Sequence, residues 1–140
     1  MKIIFICLGN ICRSPMAEYI FKSIDKENKF IVSSAGISNE EYGNDIYYKA
    51  KRTLEKNNIP YDTHFAHKIT QEEFNNSDLI ICVEKYQVKE IERLFDINNK
   101  TITLNDKDVE DPWYTNNFDK VYDEIYEGCL NLYNKLNSRE

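Results

Sequence analysis

Cysteine, proline, glycine and histidine are all scarce in this 140-residue chain, and positive charge is outweighed by negative. The four cysteines, Cys7, Cys12, Cys82 and Cys129, show neither the C-x-x-C pairing of a zinc site nor the dense spacing of a disulfide framework. That usage fits a reducing cytoplasm. With three prolines and four glycines there is no flexible linker, and no low-complexity tract or internal repeat interrupts the chain. Residues 1–140 therefore read as a single domain, long enough to bury a real core. The net charge of −6 argues against an extended nucleic-acid surface, so any anion site has to be built locally. Long hydrophobic runs are missing too. The apolar stretch after Lys2 stops at Gly9-Asn10 and meets Arg13 without a small-residue cleavage site, which speaks against an export signal and a membrane span.

What is present starts with Lys2-Ile3-Ile4-Phe5-Ile6, β-branched and aromatic, as expected of a strand buried on both faces of a parallel sheet. Similar runs occur at Phe30 to Ser34, Asp78 to Val83 and Lys100 to Leu104, separated by stretches with helical spacing. Strands alternating with helices imply a parallel sheet covered on both sides. Ser14-Pro15 reads as N-cap and first helical residue, followed by Ala17, Ile20, Phe21 and Ile24 at helical spacing. Tyr47, Ala50 and Leu54 predict a helix ending at Asn57-Asn58, and Glu72 to Ser77 a shorter one. Phe118, Tyr122, Ile125, Cys129, Leu132 and Leu136 form the stripe of a long last helix, expected to pack on the sheet. Ser38 to Asp45, polar with Gly43, reads as a surface loop.

Between the first strand and first helix lies Cys7-Leu8-Gly9-Asn10-Ile11-Cys12-Arg13-Ser14. Backbone N–H groups at such a junction point at an anion, and the helix dipole adds the equivalent of about half a positive charge. A cysteine is a nucleophile only as thiolate, and an unperturbed pKa of about 8.5 leaves little of that form at neutral pH. The helix terminus and Arg13 both favour the sulfur anion, and the Ser14 hydroxyl is placed to donate to it. Arg13 also offers a planar fork that matches two phosphoryl oxygens. A ring of N–H groups plus one arginine suffices for phosphoryl transfer, so no metal and no other cofactor is expected. Gly9 permits close backbone approach, and Asn10 tolerates the left-handed conformation that turns successive N–H groups inward. A phenolate leaving group, of pKa about 10, has to be protonated as its bond breaks. Asp111-Pro112-Trp113-Tyr114 supplies a carboxylate beside two rings able to wall an aryl slot.

Together with Ser33-Ser34-Ala35-Gly36 and His64-Phe65-Ala66-His67-Lys68-Ile69, these motifs resemble the low-molecular-weight protein tyrosine phosphatases from end to end. The resemblance implies a flavodoxin-like three-layer α/β/α fold with a four-stranded parallel sheet. It also implies a metal-independent, two-step hydrolysis of protein phosphotyrosine. In it Cys7 would attack phosphorus, Arg13 and the loop from Leu8 to Ser14 would hold the oxygens, and Asp111 would act first as acid and then as base. Trp113 and Tyr114 would flank the substrate. Asn10 would be pinned by Ser14, Ser34 and His64. Cys12 would trap oxidised Cys7 as a disulfide. The implied partner is a tyrosine-phosphorylated protein or peptide; nothing in the sequence sets an oligomeric state. Five positions, in three places, depart from the family pattern. Glu40 stands at a usually aromatic rim position, with Tyr42 near enough to substitute. His67 stands where arginine is usual. Val83-Glu84 and Gln87 replace the residues that normally follow strand three, with a helix start expected to survive.

Three other functions share features of this site. A protein-arginine phosphatase of the same fold resembles the chain but carries threonine at the position of Ile11 and lacks the paired aromatics. An arsenate reductase would need further relay cysteines, and Cys82 has Asn75 and Lys89 seven residues away on either side. A phosphate-binding module without turnover needs neither Cys7 nor Asp111.

Overall fold

The structure is a computed structural model and describes residues 1–138. Along the chain the elements are β1 (Lys2–Cys7), α1 (Arg13–Ile24), β2 (Ile31–Gly36), α2 (Tyr48–Lys56), α3 (Gln71–Asn76), β3 (Leu79–Cys82), α4 (Lys85–Leu94), β4 (Thr101–Thr103), α5 (Pro112–Thr115) and α6 (Phe118–Asn137). The strands form one parallel sheet in the order β2-β1-β3-β4. β1 is central, so both its faces are covered and every residue from Ile3 to Cys7 is buried. Successive side chains alternate between layers. Ile3, Phe5 and Cys7 join the apolar cluster built with α1, α2 and α6, whereas Ile4 and Ile6 join that of α3 and α4. Each fully buried Ile or Phe contributes about 1.5–3 kcal/mol relative to exposure, so this strand anchors both halves of the core. The arrangement is the flavodoxin-like one expected.

β2 runs two residues beyond the expected Ser34, pairing Ala35 with Ile6 and Gly36 with Cys7. The extension places Gly36 beside the loop that follows β1, with consequences described below. β3 and β4 are shorter at both ends than the apolar runs suggest. α1 begins differently from its expected start. Cys12, not Ser14, occupies the N-cap and supplies no side-chain cap, and Pro15 is the third helical residue. Proline is tolerated there because first-turn N–H groups have no intrahelical acceptor in any case. The stripe of α6 is buried, but it meets α1 and α2 before the sheet. Cys129 Sγ lies 3.7 Å from the Ala17 carbonyl oxygen. α4, begun by a capping box between Glu84 and Gln87, keeps the helix start expected there.

Crossovers leave β1 toward β2 on one side and return to β3 on the other. Ligands of open parallel sheets bind outside the carboxyl ends of strands at such a switch point, which is where Cys7 sits.

Candidate active site

The loop after β1 closes on its own sulfur. The Asn10 backbone N–H donates to Cys7 Sγ at 3.3 Å, and Ser14 Oγ lies 3.0 Å from the same atom. Asn10 makes this turn with φ of 63°, in the left-handed region that asparagine accepts at lower strain than most residues. Its side chain is fully buried, and both of its polar atoms are hydrogen-bonded. Asn10 Nδ2 donates to Ser14 Oγ (2.8 Å) and Ser34 Oγ (3.1 Å), while Oδ1 accepts from the His67 backbone N–H (3.2 Å). His64 Nε2 is 2.7 Å from the Asn10 carbonyl oxygen. A carbonyl only accepts, so Nε2 carries a proton.

These donors fix the hydroxyl directions. Ser34 accepts from Asn10 and donates to Glu18 Oε1 at 2.7 Å, and Glu18 is in turn paired with Lys22. Ser14 accepts from Asn10 as well, which leaves its own proton for Cys7 Sγ. The result is a set of dipoles directed at the sulfur and held from beneath by a nearly buried carboxylate. Ser14 is wholly buried and does not line the cleft, so its place is under the sulfur rather than against substrate. Glu18 is a supporting residue that no motif singles out. Its signal was a carboxylate four residues after Ser14 on the buried face of α1.

Arg13 is 2% exposed and held from behind. Its Nη1 donates to Glu84 Oε2 at 2.8 Å and to the Val109 carbonyl oxygen at 2.7 Å; Nη2 lies 3.5 Å from Asp111 Oδ2. Nη1 is therefore spent on anchoring, and the Nε–Nη2 edge is the one suited to two phosphoryl oxygens. Burial opposes the guanidinium charge, yet Cys7, the hydrogen bond to Glu84 and Asp111 together hold the Arg13 pKa above the ordinary arginine value. The anchoring role of Glu84 is not visible in sequence, because it rests on β3 ending beside β1. Asp111 caps α5, accepting the Trp113 N–H at 3.1 Å, with Pro112 as first helical residue. The cap fixes the carboxylate next to Arg13 and across from Cys7.

An open cleft of about 490 Å³ joins these groups, lined by Leu8, Gly9, Asn10, Ile11 and Cys12 at its base and by Asp111, Trp113 and Tyr114 along one wall. Glu40 and Glu41 complete the lining. Tyr42 does not replace the missing rim aromatic; its ring packs edge-on against Phe65, centroids 5.1 Å apart. Trp113 is steadied by Tyr47, 4.9 Å between ring centroids, and the Tyr47 N–H donates to the Ile11 carbonyl at 2.9 Å. The close approach of β2 to the loop requires glycine at Gly36. A Cβ on Gly36 would stand 2.7 Å from the Leu8 carbonyl oxygen, whereas one on Gly9 would meet only the flexible Glu41 side chain, at 3.2 Å. Cys12 is buried, and burial followed by the neighbouring Cys7 and Asp111 charges pushes its thiol pKa well up. That shift favours the protonated thiol and makes Cys12 a poor nucleophile. Cys82 and Cys129 are fully buried and raised by that burial. His67, given no part from sequence, pairs through Nε2 with Glu73 at 2.8 Å.

The sequence model described as low molecular weight phosphotyrosine protein phosphatase matches residues 2–140. The Gallus gallus low molecular weight phosphotyrosine protein phosphatase is 32% identical over 143 residues, covering 92% of this chain and 89% of that protein. The solved structure of SP-PTP, a low molecular weight protein tyrosine phosphatase from Streptococcus pyogenes, matches with a TM-score of 0.93 at 36% identity over 96% of this chain and 92% of its own. The arginine phosphatase YwlE, solved as a mutant with a phosphorylated active-site serine, matches with a TM-score of 0.88 at 29% identity over 98% and 96%. A cysteine-and-arginine loop, a neighbouring carboxylate and a matching fold thus coincide with end-to-end sequence similarity, and the chain belongs to the low molecular weight phosphotyrosine protein phosphatase family.

Proposed function

We propose that residues 1–140 act as one cytoplasmic phosphatase domain that hydrolyses phosphotyrosine in proteins through a phosphocysteine on Cys7. The observation that carries this is the convergence on Cys7 Sγ of the Asn10 N–H at 3.3 Å and the Ser14 hydroxyl at 3.0 Å, in a loop whose arginine faces Asp111 at 3.5 Å. Cys7 attacks phosphorus as the bond to the phenolic oxygen breaks, and Asp111 gives its proton to that oxygen. Arg13 and the loop N–H groups take the charge on the three equatorial oxygens. Water then attacks the phosphocysteine, Asp111 accepts its proton, and the P–S bond breaks to release phosphate and the thiolate. Neither step calls on a metal or organic cofactor. Oxidation of Cys7 to a sulfenic acid would be trapped by Cys12, forming a disulfide and releasing water.

Arginine phosphatase activity is the alternative within this fold. The apolar Ile11 and the rings of Trp113 and Tyr114 around the cleft favour an aryl ester over a guanidinium phosphate. Initial rates on phosphotyrosyl and phosphoarginyl peptides of matched sequence and concentration decide between them. Faster phosphotyrosine turnover is expected; faster phosphoarginine turnover would overturn the assignment.

A further inference from the structure

A second cleft, with about 950 Å³ of open space, lies between α2 and the start of α6. Its charged lining consists of Lys49, Arg52, Lys56 and Lys120 against the single carboxylate of Asp119. In a chain of net charge −6 this is a local inversion of sign. Two of the four cations are paired with acids, Lys56 with Asp119 and Lys120 with Glu110. The other two have neutral partners. Lys49 Nζ donates to Asn116 Oδ1 at 2.8 Å, and the Arg52 guanidinium lies over the Tyr48 ring, 5.1 Å from its centre.

The second cleft adjoins the wall of the first. Asn116, part of its lining, is the C-cap of α5, the short helix that carries Trp113 and Tyr114. Tyr47, which precedes α2, packs on Trp113 and hydrogen-bonds Ile11 of the phosphate loop. A peptide leaving the Cys7 cleft over Trp113 and Tyr114 therefore arrives at Lys49 and Arg52, whereas the lining of the first cleft itself includes Glu40 and Glu41. The two clefts thus differ in charge, the first carrying three carboxylates and the second four cations.

We infer that the cleft between α2 and α6 is a docking subsite for carboxylate side chains of the substrate, so that preferred phosphotyrosyl peptides carry Asp or Glu on the flank that crosses Trp113 and Tyr114. This rests on the proposed phosphotyrosine activity and adds a substrate class to it. Exposed charge pairs are individually weak, and two of them raise kcat/KM roughly threefold to tenfold at low salt. The gain is in KM, because groups remote from phosphorus bind ground state and transition state alike. It fades as the Debye length shrinks from about 30 Å at 0.01 M to about 3 Å at 1 M.

The test compares three phosphotyrosyl peptides, one with neutral flanks, one with three glutamates on the amino side and one with three on the carboxyl side. Each is assayed by phosphate release at low and high salt with the wild type, Arg52→Glu and Lys49→Gln. The ratio of kcat/KM for an acidic peptide to that for the neutral one is read within a single preparation, so a loss of folded enzyme cancels. The expected result is a ratio of several-fold for one acidic flank, falling to about one in Arg52→Glu and at high salt, with Lys49→Gln between. A wild-type ratio of one or below for both acidic peptides overturns the inference, as does a ratio that Arg52→Glu leaves unchanged. Hydrolysis of p-nitrophenyl phosphate but of no peptide would overturn the proposed function, and this inference with it.

Discussion

Asn10 offers the most informative perturbation, because one residue supplies both the strained turn and the hydrogen bonds that hold the phosphate loop. Replacing it with glycine keeps the backbone free to adopt φ of 63° but removes three side-chain hydrogen bonds, to Ser14, Ser34 and the His67 N–H. At about 1 kcal/mol for each buried bond, Asn10→Gly loses about 3 kcal/mol of stability. Asn10→Ala loses the same bonds and keeps a Cβ in the left-handed region, which costs alanine about 1–2 kcal/mol relative to glycine. Glycine's greater freedom in the unfolded chain takes back about 0.5–1 kcal/mol, so alanine should be the worse variant by roughly 0.5–1 kcal/mol. Urea unfolding of wild type and both variants, with the slope checked for constancy, measures the two differences. In the same preparations kcat on p-nitrophenyl phosphate should fall at least tenfold, since the Ser14 hydroxyl and Asn10 N–H lose their fixed aim at Cys7 Sγ. An Asn10→Ala protein within 0.5 kcal/mol of wild type, or one more stable than Asn10→Gly, would refute the reasoning.

Asp111→Asn should slow phosphotyrosine hydrolysis by roughly 10²–10⁴-fold, and p-nitrophenyl phosphate by less because its leaving group needs less help; equal losses on the two esters would count against Asp111 as the acid. Gly36→Ala should destabilise by about 1–3 kcal/mol, since its methyl would stand 2.7 Å from a backbone oxygen; an unchanged urea midpoint would show that the loop yields freely there. The His67–Glu73 pair makes stability depend on pH. The hydrogen bond to Glu73 raises the His67 pKa despite its partial burial, so its contribution is full below the unfolded value of about 6.5 and is lost as pH rises through the folded value. Burial opposes the Glu73 charge, but His67 and Thr70 lower its pKa overall, so its share is present above about 4.3 and is lost as pH falls through the folded value. His67→Gln should therefore be destabilising by about 1 kcal/mol near pH 6 and by less at pH 9; a difference independent of pH would contradict this linkage.

Much of this molecule is legible in its sequence because local signals and tertiary placement agree. The β-branched run at Ile3 to Ile6 has the same meaning alone as it has at the centre of the sheet, and the α6 stripe is buried as its spacing predicts. Ser14 shows where local reading fails. Ser-Pro is a good helix start by propensity, but the hydroxyl is drawn into bonds with Asn10 and Cys7, and the helix starts two residues earlier. The glycine requirement at Gly36 is hidden for a related reason, since it depends on how closely β2 approaches the loop, a distance no local pattern encodes. Glu84 and the Val109 carbonyl hold Arg13 from positions 71 and 96 residues away, and only the sheet order brings them there. The basic character of the second cleft is equally nonlocal, assembled from α2 and the start of α6.

The central claim is that Cys7 carries the phosphoryl group during turnover. Mixing the enzyme with a phosphotyrosyl peptide, quenching within milliseconds and mapping the trapped phosphate by mass spectrometry tests it directly, with Cys7→Ser and Asp111→Asn run alongside. The account predicts phosphate on Cys7 in the wild type and no turnover by Cys7→Ser. Phosphate found on another residue, or steady hydrolysis by Cys7→Ser, would contradict it.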